Sequence, residues 1–131
     1  MHNILYRRNL IYGECDFFLS MLDKDFVIIL AGDYHRGPLL DCYRYDIAGC
    51  IIPAYKFYLL NNILYKLLIR YDKMVVILSS AMNSRGFPPP PCMPHFVRHL
   101  CDVVAYARRG FNAYVLYLLK HPTLPYSKVS I

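Results

Sequence analysis

Pro94-His-Phe-Val-Arg-His-Leu-Cys-Asp-Val-Val-Ala-Tyr-Ala-Arg-Arg-Gly110 is the stretch on which the fold turns. A proline at its front suits the first position of a helix, where no backbone N–H is needed. Behind it Phe96, Val97, Leu100, Val103, Val104 and Ala107 recur at spacings of three and four, while Arg98, His99, Asp102, Tyr106 and Arg109 fall toward another side. That spacing draws one apolar stripe along an α-helix, and Gly110 offers the stop. The expectation is an amphipathic helix from His95 to Arg109. A second short helix is expected from Asn112 to Lys120, closed by Pro122 and Pro125, with a loose tail to Ile131.

Working outward, the residues before this helix change character. Ser79-Ser80, Asn83-Ser84, Gly86 and the block Pro88 to Pro91 make residues 81–94 a proline-rich linker. Each proline biases its predecessor away from helix, so the linker reads as extended, as an arm or a groove-binding peptide. Residues 1–80 read as the sheet-rich part. Phe26 to Ala31 and Met74 to Leu78 are short β-branched runs bounded by polar residues, which suits buried strands. Asn3 to Tyr12 reads as extended, Glu14 to Leu22 as a short helix, and Leu39 to Tyr45 with Ile47 to Ile52 as a strand pair turning near Asp46, Ala48 and Gly49. Leu59, Leu60, Ile63, Leu64, Leu67 and Leu68 then mark the clearest helical period in the chain, with Asn61, Asn62, Lys66 and Arg70 between them.

Assembled, these elements predict one α+β domain over residues 1–131: a small mixed or antiparallel sheet with two or three packed helices, the helical part being residues 95–131. A length of 131 residues with 56% hydrophobic and 18% charged residues supports one packed core and excludes disorder for most of the chain. Thirteen tyrosines supply amphipathic rings of the kind used at surfaces that are buried part of the time, or in a tyrosine-rich core.

A net charge of +6 favours anionic partners without choosing among them, and the basic residues read as spread along the chain. Five cysteines without regular spacing point to a reducing compartment, and no apolar leader opens the chain. The apolar region from Ile47 to Ile69 is interrupted by Pro53, Lys56, Asn61, Asn62 and Lys66, which argues against a membrane span.

For chemistry the sequence offers little. Cys92, His95, His99 and Cys101 cluster, but on a helix Cys101 would face away from the histidine pair, so a solvated pair is preferred to a metal site and no metal or cofactor is expected. His35 stands alone in a loop, no nucleophile motif or phosphate-cradling glycine loop occurs, and the chain is read as non-enzymatic. The arginines of the expected amphipathic helix, Arg98, Arg108 and Arg109, are the candidate partner contacts. The alternative is a basic nucleic-acid-binding module.

Several short patterns occur in order: Arg36-Gly37, Tyr45-Asp46, Gly49-Cys-Ile-Ile-Pro53-Ala54 with Phe57, and Leu60-Asn61-Asn62-Ile63. Lys24 lies upstream of them, and Arg108-Arg109, Phe111, Leu118-Leu119, His121 and Leu124 downstream. Together they resemble the C-terminal half of the adenoviral early-region-four thirty-four-kilodalton protein family. The resemblance implies a viral early protein of host nucleus and cytoplasm. Such a protein works with a second viral early protein, redirects a host cullin-RING ubiquitin ligase and affects late viral mRNA export. It also implies an arginine-bearing helix, mapped onto His95 to Arg109. The family's elongin-contacting box, Leu and Cys four apart, has no clean copy in this chain, and Tyr65 to Ile69 stand where relatives carry cysteines. Oligomerisation is a further expectation, because an unusually apolar chain can be completed by association.

Overall fold

A computed structural model of the chain describes residues 4–15, 26–31, 49–52, 54–62, 64–65 and 74–130. Among these residues seven strands make a single mixed sheet: β1 (Arg8–Gly13), β2 (Phe26–Ala31), β3 (Gly49–Ile52), β4 (Met74–Ser79), β5 (Val103–Arg109), β6 (Tyr114–Lys120) and β7 (Ser127–Ser130). They lie in the order β3-β2-β4-β1-β5-β6-β7. The first five in this order are mutually parallel, and β5, β6 and β7 continue as an antiparallel meander.

The central strands are apolar on both sides because both faces of the sheet are buried, as parallel sheets require. Alternation along each strand sorts the residues. Ile11, Ile28, Val76, Leu78, Ala105, Ala107, Leu116 and Leu118 belong to one core. Leu10, Tyr12, Ile29, Val75, Ile77 and Val104 belong to the other, where Phe57, Leu60, Leu64, Val97 and Cys101 cover them. Each such fully buried aliphatic side chain contributes roughly 1.5–3 kcal/mol relative to exposure.

The covering elements of that second face are short. The helical segment α1 opens as a 3-10 helix at Ala54–Leu59 and is α-helical at residues 60–62 and 64–65. Leu60 and Leu64 are buried in it while Asn61, Asn62 and Tyr65 are exposed, which is the division the leucine spacing called for. The second helix, α2, spans only Phe96–Leu100 and buries Val97.

The expected α+β arrangement with a helical part over 95–131 is therefore overturned: the chain is mostly sheet, and among the described residues it has two short helical segments. Cys101 turns extended (φ −100°, ψ 143°) and ends α2. Val103 to Arg109, expected as the second half of a helix, is the strand β5. The segment 112–120, expected as a helix, holds β6, and the tail expected to be loose holds β7. The physical reason lies in the environment of β5. It pairs with β1 on one side and β6 on the other, so Val104 faces one core while Ala105 and Ala107 face the other. A strand buried on both faces carries a run of apolar residues that also satisfies a helical period, and β-branched Val103-Val104 settles the matter toward strand.

The strands expected at Phe26 to Ala31 and Met74 to Leu78 are β2 and β4, the latter one residue longer. Within Asn3 to Tyr12 the strand begins at Arg8. The expected helix after Glu14 and the strand at Leu39 to Tyr45 lie outside the described residues, apart from Glu14 and Cys15, which are not helical.

Two details fix how the strands meet. Gly13, at the end of β1, has φ +102°, and a Cβ there would stand 2.5 Å from the Ala107 carbonyl oxygen, so only glycine permits this approach to β5. At the other end, the Asp102 N–H donates to the Arg8 carbonyl (2.9 Å), the Arg8 N–H donates to Asp102 Oδ2 (3.2 Å), and the Arg8 guanidinium lies 3.4 Å from Asp102 Oδ1.

Candidate binding surface

The end of the sheet where β1, β4 and β5 finish is the place to look for a site, because parallel sheets present their binding crevices outside the carboxyl ends of the strands. The expected linker 81–94 is strapped across the adjoining face rather than extended away. Ala81 bridges Pro91, the Met82 N–H donates to the Pro90 carbonyl (2.8 Å), and Tyr12 donates its hydroxyl to the Pro89 carbonyl (2.6 Å). Proline cannot offer N–H groups, so the strap is held largely through its carbonyls.

Under this strap runs a row of tyrosines that the sequence did not disclose as a row. Register places Tyr12 beside Tyr106 and Tyr106 beside Tyr117, across β1, β5 and β6. Ring centroids are 5.3 Å apart for Tyr12–Tyr106 and 6.0 Å for Tyr106–Tyr117, the latter stacked at 27°. Phe87 of the strap meets Tyr117 edge-on at 5.0 Å and Tyr106 at 5.8 Å, and the Arg108 guanidinium sits 5.8 Å from the Phe87 ring centre. An arginine over an aromatic face gains electrostatically from the ring quadrupole.

The three arginines singled out in the sequence do not share one helix face. Arg108 and Arg109 end β5 and are exposed; as neighbours on a strand they point to opposite faces of the sheet. The Arg109 N–H is tied to Glu14 Oε1 (3.3 Å). Arg98 lies on α2, whose carbonyl accepts from Lys120 Nζ (3.0 Å), and Lys120 pairs with Val104 at the start of β5. Arg98 thus stands at the far end of β5 from the other two, about 13–17 Å along the strand at roughly 3.3 Å per residue.

What joins Arg108 and Arg109 is a hairpin tip. Residues 110–113 connect β5 to β6, closed by the Gly110 N–H donating to the Ala113 carbonyl at 2.7 Å. Phe111 at this tip is 99% exposed, and Arg109, Gly110, Phe111, Asn112, Ala113 and Tyr114 line an open hollow of about 430 Å³. A second hollow, of about 320 Å³, lies between α2 and the β5–β6 pair, lined by His95, Arg98, His99, Val104, Leu119 and Lys120. Its histidines pack edge to face, with ring centroids 5.1 Å apart.

Charge is distributed less evenly than a glance along the sequence suggests. From Met74 to Ser130 the basic residues Arg85, Arg98, Arg108, Arg109, Lys120 and Lys128 face a single acid, Asp102, which leaves +5. Residues 1–73 hold the other nine basic and eight acidic residues, or +1. Counting acids by segment, rather than scanning for basic runs, would have found this.

Among the described residues, two titratable groups are shifted by burial. Burial pushes the Tyr12 phenol up to about 12 against the nearby Arg98 charge, and burial pushes the Cys101 thiol up to about 12 against Lys120 and Arg8. A thiol held protonated is a poor nucleophile and a poor metal ligand. Cys101 is buried in the second core and does not line the hollow of His95 and His99, and no three His, Cys, Asp or Glu side chains converge on a metal position among the described residues. No helix among them is long and apolar enough to cross a membrane. Compared with known proteins, the sequence matches no family model and no curated protein significantly.

Proposed function

We propose that the chain is a non-enzymatic adaptor that docks an acidic partner protein with the β5–β6 tip, using Phe111 as an apolar anchor and Arg108 and Arg109 as its charged flank. The observation that carries this reading is the 99% exposure of Phe111 at the tip of a closed hairpin, just beyond the strand end that carries Arg108 and Arg109. A phenylalanine wholly in water costs solubility and gives the fold nothing, whereas aromatic and arginine side chains at the centre of an interface supply most of its energy. The excess of +5 over Met74–Ser130 selects for an acidic partner surface and for fast encounter with it.

The resemblance to the adenoviral early-region-four family supplies specific partners for this adaptor: a second viral early protein and components of a host cullin-RING ubiquitin ligase, in nucleus and cytoplasm. An affinity capture from nuclear extract tests it, with wild type beside a Phe111→Ala, Arg108→Ala, Arg109→Ala triple variant. The expected result is recovery of cullin and elongin subunits by the wild type and their loss with the variant. Equal recovery by both, or none by either, overturns the reading.

The same charge excess favours a second reading, a basic nucleic-acid-binding module. Its affinity for polynucleotides would fall steeply and linearly in log–log terms as salt rises, since counterions are released on binding. A protein complex lost on Phe111→Ala, with a salt dependence shallower than that of polynucleotide binding, supports the adaptor.

A further inference from the structure

We propose that the hollow between α2 and the β5–β6 pair is an oxyanion site built for a phosphate group. This goes beyond the adaptor reading and rests on different residues from the hairpin tip.

Four basic side chains, His95, Arg98, His99 and Lys120, line a space of about 320 Å³, with Val104 and Leu119 as its apolar members. No acidic side chain lines it among the described residues, and Asp102, the one acid of this half of the chain, is engaged by Arg8. The Arg98 Nε is buried and has no hydrogen-bond partner among the described residues. A buried donor of a guanidinium left unmade is expensive, and its neighbours raise rather than relieve the concentration of positive charge. Lys120 gives one N–H to the Arg98 carbonyl, which fixes the ammonium beside the hollow while leaving two further donors on the same nitrogen.

An incoming oxyanion suits this lining. It accepts from the Arg98 guanidinium, from Lys120 and from imidazole N–H groups, and it neutralises charge that no acidic side chain among the described residues lining the hollow does. Phosphate fits better than carboxylate because its oxygens can meet three or four donors arranged around it, whereas a carboxylate presents two in one plane. A volume near the lower bound for small-molecule pockets suits a phosphate with a small organic group attached. The phosphate can be that of a phosphorylated small molecule or that of a polynucleotide.

The test is a titration of the full chain with inorganic phosphate at low salt, followed by the imidazole resonances of His95 and His99. Saturable binding is expected below ~10 mM, with both histidines shifting together. Arg98→Gln, with its circular dichroism unchanged, is expected to weaken it about tenfold to a hundredfold, the cost of removing charge-assisted donors. Arg108→Ala should leave it untouched. Displacement of phosphate by a nucleoside monophosphate but not by oligothymidylate identifies the small-molecule source, and displacement by both identifies the polynucleotide. Acetate binding as tightly as phosphate overturns the proposal. So do the absence of saturation and an Arg98→Gln variant that binds like wild type. Because Phe111 and Arg109 take no part, failure here leaves the adaptor reading standing, and the converse also holds.

Discussion

Asn9 shows how much a single polar residue can hold in an apolar sheet. It is wholly buried in β1, its Nδ2 donates to the Tyr6 carbonyl (2.8 Å) and the Val75 carbonyl (2.9 Å), and its Oδ1 accepts from the Tyr6 N–H (2.8 Å). It ties Tyr6 to β4 beside the backbone bond that the Val75 N–H donates to the Arg7 carbonyl (2.8 Å). Asn9→Ala strands these backbone groups, and urea denaturation should show a loss of about 2–3 kcal/mol. Titration gives a second test. Tyr12 and Cys101 are acids held neutral by burial, each up to about 12 from ordinary values of 10.0 and 9.0. The folded state therefore keeps protons that the unfolded chain surrenders. Stability is full below about pH 9 and falls as pH rises from 9 to 12, by at most about 1.4 kcal/mol per pH unit for each group. Midpoints of denaturation measured from pH 8 to 11 should decline accordingly; a flat profile would count against burial of both. Neither Asn9 nor Tyr12 stood out in the sequence, because a polar residue within a strand declares its burial only when its partners, 66 and 77 positions away for Val75 and Pro89, are in view.

Elements were legible where one local signal dominated. Phe26–Ala31 and Met74–Ser79 are short, β-branched and clearly bounded, and they are strands; Leu60 and Leu64 repeat at a helical interval, and they are the buried side of α1. Legibility failed from Val103 onward, where a doubly buried strand mimics helical spacing and only long-range pairing decides. A turn signal was nonetheless present: Gly110 and Asn112 separate two apolar runs, as hairpin loops do. The candidate site suffered from the same error. Reading 95–109 as one helix put Arg98 and Arg109 on one side, whereas α2 and β5 hold them apart. Hydrogen exchange distinguishes the arrangements directly. Amides of Val104 to Ala107 in β5, flanked by β1 and β6, should be among the slowest to exchange. Those of β7, which among the described residues pairs on one side only, should exchange faster by orders of magnitude. Uniform protection through 95–109, with no break at Cys101 and Asp102, would restore the single helix.

For the molecule as a whole, the decisive feature is where the first strand lies. β1 sits between β4 and β5, so its neighbours come from late in the chain: Asn9 bonds to Val75 across 66 positions, and Arg8 meets Asp102 across 94. A chain cut before Val103 leaves β1 open along one edge and the Ala105, Ala107, Leu116 and Leu118 side of a core unbuilt. Such a fragment is expected to lose cooperative thermal unfolding, which calorimetry would register as the absence of a transition. This has a meaning in time as well as in space. As the chain emerges from the ribosome, β1 must wait, with its apolar groups uncommitted, for β4 and β5 to follow. Closing loops of such length is slow and exposes unpaired edges meanwhile. A cell making this protein thus handles a sheet still open along β1, and its yield depends on whatever shelters the nascent chain until β5 and β6 arrive.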